Sequence, residues 1–177
     1  MSYLKYVLIS VLVTFSLFTL KSQSETRMEF FPASENYLPL INVYSNSGAI
    51  KQYYIKDGAW ILNENVGSPN ITIKGDDYRF QYKPEAKDSK AGLFVYSTQS
   101  GEFQFFYLDG EEWQENPYLV KGKVILDSKN IRMNYSRGNS NNAAFISAYT
   151  VDGNQMSVLQ YGDDGWAHLE YFPKVVK

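Results

Sequence analysis

The side chains of this sequence that could take part in chemistry are mainly aromatic. The 177 residues include 15 Tyr, 11 Phe and 3 Trp, and aromatic residues make up 16% of the chain. Tyr and Trp combine a large apolar ring with a polar group, so they are common in strands, at interfaces and on surfaces that stack against ligands. Cysteine is absent, which excludes disulfides, thiolate metal sites and a cysteine nucleophile.

Groups that usually carry catalysis are few. His168 is the only histidine, so a metal site built on two imidazoles is excluded. Adjacent acids occur at Asp76-Asp77, Glu111-Glu112 and Asp163-Asp164, in stretches typical of turns, where Asp is favoured by hydrogen bonds to its own backbone. Glycoside hydrolysis needs two carboxylates about 5 to 10 Å apart across a cleft, and adjacency in sequence does not supply that geometry. The sequence therefore predicts no catalytic residue, no metal site and no cofactor.

Three types of residue recur along the chain at nearly constant spacing. An Arg is followed 17 residues later by a Tyr, and a Trp follows that Tyr after 16 or 17 residues. The recurring residues are Arg27, Tyr44 and Trp60, then Arg79, Tyr96 and Trp113, then Arg132, Tyr149 and Trp166. An Asp-Gly pair precedes or adjoins each Trp. Such self-similarity indicates one structural unit present three times, over residues of about 25–77, 78–130 and 131–177.

Each copy predicts four short antiparallel strands in an all-β fold. Strand A contains the Arg and alternates apolar with polar residues, strand B ends at the Tyr, strand C follows a turn that contains Gly, and strand D carries the Trp. The predicted B strands are Leu38–Tyr44, Leu93–Tyr96 and Ala144–Tyr149, and the predicted C strands are Ala49–Ile55, Glu102–Leu108 and Gln155–Tyr161. An extra short strand is predicted at Asn70–Lys74 or Lys123–Asp127.

The strand Glu102–Leu108 bears apolar side chains on both faces towards its end. A strand of this kind is usually covered on both sides. We therefore expect sheets that stack face to face.

The first residues have the pattern of an export signal. Lys5 precedes the apolar run Tyr6–Leu20, which is shorter than the span of about 20 residues that crosses a bilayer. The sequence thus predicts a signal peptide over residues 1–22 and a single mature domain over 23–177, either secreted or periplasmic; an uncleaved membrane anchor is the alternative. The mature chain would carry 15 basic and 19 acidic side chains, a mild acidic balance that argues against electrostatic binding of nucleic acid or anionic lipid. After removal of the signal, no membrane insertion is expected.

The first copy resembles a known family of sugar-binding proteins. Its segment Ile41–Ile50, followed by Asp57-Gly58-Ala59-Trp60, is similar to a blade of the fucose-binding β-propeller lectins of bacteria and fungi. The same frame recurs at Leu93–Tyr96 and Ile146–Tyr149, so the resemblance covers all three copies. It implies propeller-like blades, and in that family an Arg on strand B, a Glu on strand C and a stacking aromatic hold the sugar.

The charged residues of that family's site are absent from this sequence. The Arg positions are occupied by Asn42, Phe94 and Ser147, and the Glu positions by Gln52, Phe105 and Ser157. Only the aromatic positions, Trp60, Trp113 and Trp166, match. The resemblance therefore implies the fold without fucose binding.

Three blades are fewer than the four to eight of closed propellers. Two chains would supply six, so we expect a homodimer that closes a ring and removes open sheet edges. The alternative is a β-trefoil, which also has three four-stranded repeats and needs no partner.

The recurring side chains are the candidate ligand contacts. The set comprises Trp60, Trp113 and Trp166, Tyr44, Tyr96 and Tyr149, and Arg27, Arg79 and Arg132. Indole faces stack on the C–H faces of sugars, and repeated shallow sites would bind glycans multivalently. For the same residues the structural interpretation is that Trp anchors the core and that Arg forms ion pairs or stacks on aromatic rings. The leading prediction is a non-catalytic, lectin-like glycan-binding protein; the alternative is a structural or protein-interaction module of the cell envelope or matrix that has no small ligand.

Overall fold

The computed structural model describes residues 26–35, 37–87, 89–127, 130–138 and 142–169, where the chain forms β-strands joined by turns and loops. The all-β prediction is confirmed. No helix in these ranges is long and apolar enough to cross a membrane. The predicted signal peptide, residues 1–22, lies outside the described residues.

Each repeat forms its own antiparallel sheet, in which the first four strands are neighbours in the order of the sequence. Sheet 1 consists of β1 (Thr26–Phe31), β2 (Leu40–Ser45), β3 (Ile50–Lys56) and β4 (Ala59–Leu62). Sheet 2 consists of β5 (Tyr78–Lys83), β6 (Gly92–Ser97), β7 (Glu102–Asp109), β8 (Glu112–Glu115) and β9 (Gly122–Lys123). Sheet 3 consists of β10 (Ile131–Ser136), β11 (Phe145–Thr150), β12 (Met156–Gly162) and β13 (Gly165–His168). This pairing within repeats differs from the β-trefoil alternative, in which strands of different repeats would share hydrogen bonds.

The predicted extra strand occurs in one linker only. β9, Gly122–Lys123, pairs with the beginning of β7 and overlaps the predicted strand Lys123–Asp127 at Lys123 alone. The prediction of a strand at Asn70–Lys74 is wrong. There the backbone N–H groups of Thr72 and Lys74 donate to the side chains of Gln104 and Glu102, at 3.0 and 2.8 Å, instead of to a neighbouring backbone.

Sheet 2 lies between the other two sheets and is covered on both faces, as the sequence predicts. Alternate residues of β6 belong to different cores: Leu93 and Val95 pack with sheet 1, and Phe94 and Tyr96 pack with sheet 3. The period-2 geometry of a strand requires this division. The molecule therefore consists of three consecutive meanders stacked face to face around two aromatic cores.

The strand register gives equivalent residues equivalent positions. Each recurring Arg lies opposite the recurring Tyr of its own repeat, as Arg79 does opposite Tyr96. Residues directly opposite each other share one face of a sheet. We call the face of each sheet that carries the Tyr its trailing face, because in sheets 1 and 2 it packs on the next sheet. The opposite face carries the strand D Trp and is called the leading face.

Candidate functional site

The three recurring Trp residues occupy equivalent leading-face positions but differ in surroundings. Trp113 is 9% exposed and packs in the core between sheets 1 and 2. Trp166 is stacked on Phe105, with 5.6 Å between ring centroids, and its indole N–H donates to the Val120 carbonyl at 3.0 Å. Trp60 is 42% exposed. Thus two of the three indoles pack against the preceding sheet, and no sheet precedes the third in the described ranges.

Among the recurring Tyr residues, the first two are buried and the last is exposed. Tyr44 stacks on Phe80 of sheet 2, with 5.0 Å between centroids, and its hydroxyl donates to Glu29 at 2.7 Å. Burial, together with the Glu29 charge, raises the pKa of Tyr44 well above its ordinary value. Burial also raises the pKa of Tyr96. Tyr149, on the trailing face of the last sheet, is 46% exposed.

The recurring Arg residues have neighbours close in sequence. Arg79 is buried and pairs with Asp77 at 3.2 Å; Asp77 also accepts a hydrogen bond from the Thr98 hydroxyl at 2.6 Å. Arg132 donates to Asn130 Oδ1 at 2.9 Å, so both cations contact the residue two positions earlier. Arg27 is exposed. The structure does not bring the nine candidate residues together into one site.

The strand register changes one residue that the sequence aligned with the Glu position of the fucose-binding lectins. Asn42 lies opposite Gln52 and Phe94 opposite Phe105, but Ser147 lies opposite Val158, not Ser157. The turn between strands B and C in the third repeat is one residue longer than in the first, which shifts strand C by one. In the first repeat Gln52 donates to Asn42 Oδ1 at 3.2 Å in a buried contact.

A cavity of about 630 Å³ opens between sheets 2 and 3. This volume lies within the range of about 300 to 1,000 Å³ that is usual for small-ligand sites. The cavity is formed where strands A and C end and strand B begins. Its lining comprises Gln81, Lys83, Ser89, Lys90, Gly92, Leu93, Phe94, Phe105, Phe106, Tyr107, Asn116, Pro117, Tyr118, Leu119, Tyr135, Arg137, Gly138 and Ala144.

The floor of the cavity is aromatic, and side-chain hydrogen bonds join it to sheet 2. Tyr135 packs on Phe94 and Phe105, with centroid distances of 5.6 and 4.8 Å. The Gln81 side chain, from sheet 2, accepts from the Tyr135 N–H and donates to the Tyr135 carbonyl, both at 2.9 Å. One amide side chain thus reproduces a pair of ladder hydrogen bonds between the two sheets.

Three cations line the cavity. The Lys83 ammonium lies 5.1 Å from the centroid of the Tyr135 ring, and burial, with the nearby Arg137 charge, lowers the pKa of Lys83. Lys90 lies 5.2 Å from the centroid of the Tyr107 ring and pairs with Asp109 at 2.5 Å. The described lining residues include no carboxylate. Lys83 in particular has no carboxylate partner within the described ranges.

The junction between sheets 1 and 2 differs at one decisive position. Phe31, four residues after Arg27, packs edge-on against Tyr82, with 5.0 Å between centroids. Lys83 has the same position relative to Arg79, and Tyr135 is the equivalent of Tyr82. An aromatic ring therefore fills the first junction at the place where the second junction has a cation beside open space.

Sequence reasoning missed Gln81, Lys83 and Arg137. For Lys83 the sequence does contain a signal. The position four residues after each recurring Arg holds Phe31, Lys83 and Ser136, so it varies in an otherwise regular repeat.

Potential catalytic groups lie outside the cavity. Ser157 Oγ and His168 Nδ1 are 2.9 Å apart across β12 and β13, and no carboxylate orients the imidazole in the described part of the chain. Within the described ranges no group of three His, Asp or Glu side chains is arranged to hold a metal ion. The cavity offers binding groups: cations, phenol rings and amides.

No protein-family model matches this sequence, and no curated protein compared with it is significantly similar.

Proposed function

We propose that this protein is an exported, non-catalytic, lectin-like glycan-binding protein, and that the cavity between sheets 2 and 3 binds a sugar bearing a carboxylate or sulfate. The observation that carries the proposal is Lys83, a half-buried cation beside the cavity with no carboxylate partner among the described residues. A buried charge without a partner is costly, and an anionic ligand would offset that cost.

The remaining lining suits a sugar ring. Tyr107 and Tyr118 present phenol rings at the mouth of the cavity, and aromatic faces pack against the apolar C–H faces of sugars. Asn116 Oδ1 accepts hydrogen bonds from the N–H groups of Tyr118 and Leu119, at 2.9 and 3.2 Å, which fixes the loop that carries Tyr118.

A propeller-like arrangement of the sheets is part of this proposal. Consecutive four-stranded meanders that stack face to face support it. The cavity lies at a junction between two such sheets.

The test is a titration with matched charged and neutral sugars. We expect glucuronate and galactose 6-sulfate to perturb the NMR signals of residues around the cavity at millimolar concentration, and glucose and galactose to bind more weakly. Loss of a hydrogen bond to a charged group costs about 1.5 to 3 kcal/mol, so Lys83→Met should weaken binding at least about tenfold. Lys56→Met, at an exposed hairpin end, is the control and should bind normally. A glycan array and titrations that show no binding of charged sugars would reject the proposal.

A second candidate is a structural or protein-interaction module of the cell envelope or matrix without a small ligand. It is favoured by Trp113 and Trp166, which pack in the cores and do not line the cavity. If this second function is correct, no sugar should bind in any of the titrations, and the protein should still bind a macromolecular partner.

A further inference from the structure

The leading face of sheet 1 exposes the residues that the other sheets bury. Met28 and Phe30 are 70% and 60% exposed, whereas Met133 and Tyr135, at the same positions of sheet 3, are 7% and 8% exposed. Trp60 belongs to the same surface, since it packs edge-on against Phe30 with 6.2 Å between centroids. Three adjacent large apolar side chains therefore lie where the repeat normally has a preceding sheet.

The trailing face of sheet 3 is the corresponding open surface at the other end. Tyr149 and Met156, which lie opposite each other on β11 and β12, are each 46% exposed. Their equivalents in sheet 2, Tyr96 and Phe103, are 5% and 0% exposed because sheet 3 covers them. The third repeat thus keeps apolar residues on a face that no sheet covers in the described part of the chain.

The junctions within the chain show what fits these two faces. In the first junction Tyr44 of the trailing face stacks on Phe80 of the leading face, and Phe80 is the equivalent of Met28. Both junctions also share a backbone hydrogen bond: the Tyr78 N–H donates to the Asn46 carbonyl, and the Ile131 N–H to the Thr98 carbonyl, each at 2.9 Å. By the same spacing, the Thr26 N–H of one chain would lie opposite the Val151 carbonyl of another chain.

We propose that the trailing face of sheet 3 binds the leading face of sheet 1 of a second copy of this chain, and that two copies close a ring of six sheets. The contact joins two different faces, head to tail. Such a contact forms a ring if the rotation between successive chains closes on itself, and a filament if it does not. Closed rings of such sheets contain about four to eight, and six is the multiple of three in that range. The faces of the end sheets, more than their edges, carry this interaction. It rests on different residues from the proposed sugar site.

The first experiment measures the mass of the protein in solution by light scattering coupled to size exclusion. We expect twice the mass of the chain, and the mass of a single chain for Met28→Lys and for Tyr149→Lys. Ile125→Lys replaces a residue that is 78% exposed and belongs to the linker between β9 and β10, outside the strands of both faces, so this control should remain dimeric. Because Met28 is exposed within the chain, its substitution should leave the circular dichroism spectrum of the fold unchanged. A wild-type protein that is monomeric at high micromolar concentration, or a dimer that survives Met28→Lys, would overturn the proposal.

A cross-linking experiment tests the head-to-tail geometry and does not depend on destabilising variants. The chain has no cysteine, so Thr26→Cys and Val151→Cys each introduce a single thiol. A mixture of the two variants, allowed to exchange subunits and then oxidised, should form a disulfide-linked pair, whereas each variant alone should not. Cross-linking of either variant with itself would indicate a two-fold contact between identical patches and would exclude the head-to-tail arrangement.

Discussion

Replacing Lys83 with Phe should make the second junction of the chain resemble the first. In the first junction Phe31 and Tyr82 form an edge-to-face pair at 5.0 Å. In the second, the Lys83 ammonium lies 5.1 Å from the centroid of the Tyr135 ring. We expect Lys83→Phe to fill part of the cavity, to raise the free energy of unfolding, and to abolish binding of anionic sugars.

The magnitude follows from the contacts exchanged. An edge-to-face pair contributes about 0.5 to 1.5 kcal/mol beyond burial, and burying part of the ring adds about 1 kcal/mol. Against this, the cation–π contact of Lys83 with Tyr135 contributes about 0.5 to 1 kcal/mol. The net gain is about 1 kcal/mol, which corresponds to an increase of about 2 to 4 °C in Tm for a domain of this size.

Calorimetry and sugar titration of the same variants separate the two effects. Lys83→Met is the matched control, because it removes the charge without adding a ring, and it should weaken binding at least about tenfold without the gain in Tm. A Lys83→Phe protein that melts below the wild type would refute the equivalence of the two junctions. Retained affinity of that protein for glucuronate would refute the role of Lys83 in binding.

Three further outcomes are expected. Gln81→Leu leaves the Tyr135 N–H and carbonyl without their 2.9 Å partners, so urea denaturation should show a loss of about 2 to 4 kcal/mol. Burial raises the pKa of Tyr82 to about 12, so the folded state keeps a proton that the unfolded chain loses near pH 10. The free energy of unfolding is therefore unaffected below pH 10 and falls by up to about 3 kcal/mol between pH 10 and 12. Tyr82→Phe should reduce this decline. Gly101 has φ of 71°, and an added Cβ would lie 2.4 Å from the Val124 carbonyl oxygen, so Gly101→Ala should lower Tm by several degrees; an unchanged Tm would contradict this reasoning.

Local patterns were sufficient to predict the strands. Alternating side chains and turn glycines act within a few residues, so the ends of the predicted strands Glu102–Leu108 and Gln155–Tyr161 lie within one residue of those of β7 and β12. The spacing of 17 residues between Arg and Tyr became an exact cross-strand pairing in all three sheets. The strand at Asn70–Lys74 was predicted wrongly because the pattern cannot show whether a segment's N–H groups meet a backbone or side chains such as Gln104.

The surroundings of equivalent residues could not be predicted from spacing. Trp60 and Trp113 have the same position in the repeat, but their exposure differs because sheet 1 covers Trp113 and no described sheet covers Trp60. The cavity was missed for a related reason. Lys83 reads as an ordinary charged residue at a strand end, and it becomes a site residue only when sheet 3 places Tyr135 beneath it.

These junctions bear on the number of binding sites that a ring would carry. If two copies close a ring, each contributes a junction with Phe31, a junction with Lys83, and a new junction with Ser136 at the equivalent position. Only the Lys83 junction has a cation there to attract an anionic sugar. The expected valency is therefore two Lys83 sites per ring, where the repeat pattern alone would suggest six equal ones. Two sites can still increase the apparent affinity for a surface that bears many glycans, because the second contact forms at the high effective concentration set by the first.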